Sequence, residues 1–408
     1  MKTGELKDHG NFLGSISRRA LLKGAAALAI APGTSFRVLG AAPDSVLAYV
    51  STYTPNGQGI YLFSLDLKTG LLTQIKVVAK IPSPSWIATH PNGNFLYAVN
   101  EVSNFTTSPP SGSVTAFAID RGTADLTLIN VVSSQGAGPA HLSVDPLGQF
   151  VFVANYGGGS FAVLPIQADG SLGNAAFVQQ DIDSVGPTKA TNGPPGSFAI
   201  SGHDAPHAHM IQADAAGKYV FGADLGQDRI YIWTLSRPSG QLIPNSPPFI
   251  AVPPGDGPRH FAFHPNGLFL YSLQEEASTL LVYQYDAGSG LLTQQQMIST
   301  LPAGFGGTNF TSEVRVSPDG AFVYAANRLH DSIAIFAVNS SGSLSLMDEA
   351  WTRGDYPRSF TIDPTGNFLV ACNQRSDALV TFNIKTNKLV FIGQYKPVGS
   401  PACVVFLA

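Results

Sequence analysis

One line of sequence recurs along this chain and limits what it can fold into. His90-Pro-Asn-Gly-Asn-Phe-Leu-Tyr-Ala-Val-Asn100 returns, with the same spacing, from Asp145, Asp214, His264, Ser317 and Asp363. Each copy is a turn closed by glycine, followed by a strand of β-branched and aromatic residues. Upstream of each turn lies another strand, opening at Ser83-Pro84, Gly138-Pro139, Pro206-His207, Gly257-Pro258, Phe310-Thr311 and Tyr356-Pro357. A seventh copy, Ser400-Pro401 to Val405, has no turn after it, and Val46 to Ser51 has no first strand before it. These two orphans complement each other. The expectation is an all-β, seven-bladed β-propeller closed by pairing of the N- and C-terminal strands in one blade, which leaves no free sheet edge.

Composition agrees with short strands and tight turns: 44% of residues are hydrophobic and 12% charged, with 42 Gly and 29 Pro. A formal charge of -4 without any basic run excludes nucleic acid and anionic lipid as partners. Cys372 and Cys403 each sit in an apolar strand pattern and read as buried free thiols, although an exported chain leaves a bridge open. Residues 1–42 differ from the rest. Ser17-Arg18-Arg19-Ala20-Leu21-Leu22-Lys23 precedes a short, weakly apolar run ending at Ala31-Pro32, the pattern of a twin-arginine export signal. The expected organisation is a signal over 1–42 and one propeller domain over 43–408. Its expected partner in transit is the twin-arginine export machinery, and its location periplasmic or secreted, with no membrane attachment after processing.

In an antiparallel pair the start of one strand lies beside the end of the next. With the first strand of each unit innermost, one face of the ring collects His141, His207, His209, Arg259, His260, Glu313 and Arg358 from strand starts. The same face collects Glu101, Asn155, Asp224, Glu275, Asn327, Arg328, Asn373 and Gln374 from strand ends. Such a rim suits a small ligand. The repeated Asn residues read as ties to local backbone, and His90 and His264 as caps of turns on the opposite face. Arg259, Glu275 and Arg328 also fit a structural ion-pair network. His207 and His209 share a strand face, but no further pattern completes a metal site, so neither metal nor cofactor is expected. Two stretches exceed the repeat, 102–113 and 185–205; the second leads directly into Pro206-His207 and reads as a rim loop or lid, or as a solvated insertion.

Pro206-His-Ala-His209, Asp224-Leu-Gly-Gln-Asp228, Gly257-Pro-Arg-His260, Asn327-Arg-Leu-His-Asp-Ser-Ile333 and Pro357-Arg-Ser-Phe360 with Asn373-Gln374 together resemble the lactonase propeller family. That family includes propeller-type 6-phosphogluconolactonases and carboxy-muconate lactonising enzymes. The resemblance runs from about Ser45 to Ala408. It implies a catalytic set of His209, Arg259, Glu275 and Arg328; His207, His141, His260, Glu313 and Arg358, collected on the same face by the strand geometry, are the candidates for binding substrate. The run Gln274-Glu275-Glu276 leaves open which glutamate works. The implied activity is hydrolysis of a sugar-type lactone, a carboxylic ester, with a small-molecule lactone or acidic sugar as substrate. Histidine would act as general base, with arginines holding the acidic group and the oxyanion. The same site run differently would cyclise a muconate, and a non-enzymatic ligand-binding propeller is the alternative from another class.

Overall fold

The computed structural model describes residues 44–198, 202–237, 239–386 and 388–407, so the signal-like segment 1–42 lies outside the described residues. Seven four-stranded antiparallel sheets account for the described chain, with a two-stranded hairpin, Thr106–Thr107 with Pro110–Ser111, inside the first long stretch. Within six blades the strands run outwards in chain order, as in Pro258–Phe263, Phe269–Gln274, Thr279–Asp286 and Leu291–Ser299. The remaining blade closes the ring. Its innermost strand is Pro401–Phe406, paired with Ser45–Thr52 so that Tyr49 faces Val405 and Val50 faces Val404. The seven innermost strands pack side by side around one axis.

The core follows from this arrangement. The middle strands are covered on both faces by neighbouring blades and read as nearly unbroken apolar runs, the innermost strands interleave polar residues, and the outer strands are mostly exposed or half-buried. Among the described residues, seven hydrophobic clusters form, one at each interface between blades. At one, Phe152, Phe161 and Val163 meet Ile211, Val220 and Trp233. At the closing interface Val50 and Phe63 meet Val370, Leu379 and Val404. Each fully buried side chain of this size contributes about 1.5–3 kcal/mol, so closure is hydrophobic as well as hydrogen-bonded.

The glycine-closed turns occupy the face away from the strand starts. At Gly148 (φ 70°) and Gly320 (φ 74°) a Cβ would strike the imidazoles of His90 and His264. His90 Nδ1 accepts the Asn92 N–H at 3.0 Å, so Nε2 carries the proton and donates to the Gly148 carbonyl at 2.9 Å. His264 repeats this with Asn266 and Gly320. These two histidines fasten one blade's turn to the next. Cys372 and Cys403 are both buried and free.

A register irregularity positions the site. The ladder slips by one residue at the start of the inner strand between Pro139 and His141, Ala208 and Met210, Pro258 and His260, and Pro357 and Ser359. It slips likewise opposite Ser51 and Thr52 in the closing blade, and passes over two residues between Thr311 and Val314. A β-bulge leaves a residue unpaired and re-aims its side chain. The residues released in this way are Ala140, His209, Arg259, Arg358 and Ala402, with Ser312 and Glu313 in the sixth case.

Candidate active site

Five of the bulged residues, Ala140, His209, Arg259, Arg358 and Ala402, line a small cavity on the axis together with Ser85, Trp86 and His260. Alanine and serine on some blades leave the room into which histidine and two arginines reach from others. Above this layer stands a second ring, set by the residue following each second strand. Its members are Tyr53, Glu101, Tyr156, Leu225, Glu275, Arg328 and Gln374. Their backbone N–H groups donate, at 2.7–3.0 Å, to the carbonyls of Ser400, Ser83, Gly138, His207, Gly257, Phe310 and Tyr356 respectively. One hydrogen bond per blade therefore fixes seven equivalent slots, and the sequence decides what each carries.

Glu275 joins the two rings. Its carboxylate lies 2.8 Å from Arg259 Nε and 2.7 Å from Arg328 Nη2, with all three side chains buried. Burial works against the ionised Glu275, but the two guanidiniums outweigh it and hold the carboxyl below its ordinary value. Burial, then Arg328, pulls the Arg259 guanidinium down to about 10. Arg328 Nη1 donates to Tyr356 Oη at 3.2 Å and its guanidinium lies over the Phe310 and Tyr356 rings. Arg358 sits over the Tyr53 ring, 3.8 Å from Glu101, which accepts the Tyr53 hydroxyl at 2.7 Å.

His209 stands beside these cations, 4% exposed, with Nδ1 lacking any hydrogen-bond partner among the described residues. Burial, then Arg259, keeps the imidazole well below its ordinary pKa, so it is neutral at physiological pH. Its ring meets Tyr156 edge-on at 5.5 Å and His260 at 5.1 Å. A neutral imidazole can accept a proton, while burial and the neighbouring guanidiniums oppose its charged form and weaken it as a base.

His141, His260 and Glu313 lie one layer deeper than the rim where the strand-start geometry put them. His260 packs at 5.5 Å from His141 and 5.2 Å from Trp86, and its Nδ1 is 3.4 Å from Glu313 Oε1. They form a buried floor beneath the axial cavity. His207 stacks on Tyr156 at 4.2 Å, with Nδ1 at 2.8 Å from the Tyr156 carbonyl and Nε2 at 3.0 Å from Asp204. Both its nitrogens are engaged, which makes it a brace for Tyr156. Among the described residues no group of three His, Cys, Asp or Glu is placed to hold a metal ion.

The strand-end amides tie backbone. Asn155, Asn327 and Asn373 donate to the carbonyls of Ser134, Thr300 and Thr352 at 2.8–2.9 Å. Asp224 takes the same place in its blade and accepts the His207 and Gln227 N–H groups, both at 2.9 Å. The two adjacent glutamates part company. Glu275 faces the axis, while Glu276 reaches outwards to His203 Nδ1 at 3.0 Å. Asp228 holds the other nitrogen of His203 at 3.1 Å, which pins the described part of the 185–205 stretch to the face. Burial opposes a charged His203, yet Asp228 and Glu276 raise it to about 10.

Tyr53, Tyr156 and Trp86 were not among the residues expected from sequence. Tyr53 and Tyr156 occupy the slot of Glu101, Glu275 and Arg328, and aligning every copy by that slot, whatever its residue type, would have found them. The larger opening on the axis, about 480 Å³, is at the opposite end, among the glycine-closed turns. Its walls mix apolar side chains with His141, Glu313 and Arg315, while the side chains of the two rings converge at the other mouth.

The family model described as lactonase, 7-bladed beta-propeller, matches residues 47–406. The 6-phosphogluconolactonase of Bacillus subtilis is 36% identical over 365 residues, covering 88% of this chain and 98% of its own length. That of Formosa agariphila is 33% identical over 351 residues, covering 84% and 94%. Among solved structures, the periplasmic gluconolactonase of Pseudomonas aeruginosa superposes with a TM-score of 0.79 at 29% identity, covering 89% of this chain and 99% of the other.

Proposed function

The chain belongs to the family of seven-bladed lactonase propellers, and from that premise we propose that it is an exported hydrolase of a sugar-type lactone. The observation that carries this reading is the neutral, buried His209 set among Arg259, Arg328 and Arg358 on the axis. In this reading His209 takes a proton from water as the oxygen attacks the lactone carbonyl. Arg259 and Arg358, which line the same cavity, stabilise the oxyanion and then the product carboxylate. Glu275 holds Arg259 and Arg328 in place, its two oxygens facing the two guanidiniums. The ring alkoxide leaves with the proton from His209, completing ester hydrolysis.

Export is supported by Ser17-Arg18-Arg19 and the short apolar run after it, over residues 1–42. An exported enzyme meets unphosphorylated sugar lactones, so these rank ahead of the phosphorylated form as substrates. The test of the base is His209→Ala, assayed on a lactone that the parent protein turns over. We expect kcat to fall by roughly 10²–10⁴-fold in a protein that melts as a folded ring. A loss below about tenfold would remove His209 from the reaction.

A further inference from the structure

The floor beneath the cavity has chemistry of its own. His260 separates two spaces on one axis: it lines the small cavity that holds His209, and its ring touches His141 and Glu313, which line the 480 Å³ opening on the opposite face. Along this column His209, His260 and Glu313 follow one another, with ring centroids 5.1 Å apart for the first pair and His260 Nδ1 3.4 Å from Glu313 Oε1 for the second. Polar atoms are left over at every step. His209 Nδ1, both His260 nitrogens and Glu313 Oε2 are buried without a hydrogen-bond partner among the described residues. A core built only for packing would place apolar side chains here, since each unpartnered buried polar atom costs about 1–3 kcal/mol.

We propose that His260 and Glu313 form a proton outlet that drains the axial site through the opposite mouth of the ring. The inference rests on the reading of His209 as the base. Hydrolysis of a lactone consumes one water and yields a hydroxy acid, which at neutral pH ionises and releases one proton. That proton passes from the product carboxyl to His209, then to His260 and to the Glu313 carboxylate, and leaves to solvent in the lower opening. The route keeps the upper mouth free for product to depart. The groups around the column suit the task. Arg259, Arg328 and Arg358 face His209 and favour its neutral form, so it does not retain a proton. Glu313 faces Arg315 at 3.4 Å, with Arg259 and His141 also nearby and the thiols of Cys372 and Cys403 in its field; burial raises its carboxyl above the ordinary value, so its carboxylate takes up a proton more readily than an exposed one. His260 and Glu313 act through His209 and are positioning residues, not catalytic ones.

The test compares Glu313→Gln, which keeps shape but cannot take up a proton, with Gln212→Trp, which narrows the lower opening far from the reacting atoms. Steady-state turnover of the best lactone is measured with increasing sodium formate, a carboxylate small enough to enter the lower opening. We expect Glu313→Gln to lower kcat by about tenfold, less than loss of the base itself, with KM unchanged and kcat recovered as formate rises. Gln212→Trp should lower kcat in the same direction with KM unchanged. A kcat within about twofold of the parent in both variants, or a loss in Glu313→Gln that formate leaves untouched, overturns the outlet while the lactonase reading stands. Absence of lactone turnover in the parent protein removes both. Should Glu313→Gln fail to fold, Gln212→Trp decides alone.

Discussion

Three imidazoles buried in the middle of a protein set its behaviour with pH. Burial is the leading cause that lowers His141, His209 and His260 well below their ordinary value, so the folded ring holds all three neutral. The unfolded chain protonates them below about pH 6.5. It then binds more protons than the folded state, and stability falls as pH drops. The expected slope is up to about 1.4 kcal/mol per pH unit for each histidine, read from denaturant melts between pH 7 and 5. His260→Asn should flatten that slope; an unchanged slope would mean that His260 is protonated in the fold. At the same scale, sequence reading located His209, Arg259, Glu275, Arg328 and Arg358 on one face but not the depth of each side chain. Depth depends on a one-residue slip in a ladder, which the partner strand imposes and a single strand's pattern does not reveal.

At the scale of the elements, the 185–205 stretch shows what lies beyond a repeat. It has no counterpart in other blades, and its anchor, His203, carries no signal in the local pattern. The anchor lies between Asp228 and Glu276, which favour its charged imidazolium form, with Asp256 close by and bonded by Asn192 at 3.3 Å. Because His203 is raised to about 10, its contribution is complete below the ordinary histidine value and is lost as pH climbs through about 10. Removing the cation leaves buried carboxylates facing one another. His203→Ala should therefore cost about 3–5 kcal/mol, felt first in this stretch. Amide exchange at Gly186, whose N–H donates to the Gly226 carbonyl at 2.8 Å, should accelerate ahead of the blade cores. Uniform acceleration across the whole ring would show that His203 serves global stability instead. Strands were easier to read than this loop, since each copy restates the same turn and the same apolar run.

At the scale of the whole molecule, the split blade was legible because two incomplete units at opposite ends can only complete one another. The interfaces between blades follow from that, since strands apolar on both faces must be covered on both. What the repeat does not specify is which slots of the two upper rings carry function. Near-symmetry offers seven equal positions in each, and only differences between copies break it: alanine and serine where room is needed, histidine, arginine and glutamate where charge is needed. This broken symmetry, we propose, builds a lactone-hydrolysing site. The most direct measurement is turnover of a panel of lactones by the purified mature protein, comparing 6-phosphogluconolactone with unphosphorylated sugar lactones. The expected result is hydrolysis, fastest on an unphosphorylated sugar lactone and abolished by Arg259→Ala. A folded protein that opens none of these rings would contradict it and leave a ligand-binding propeller or a cyclase.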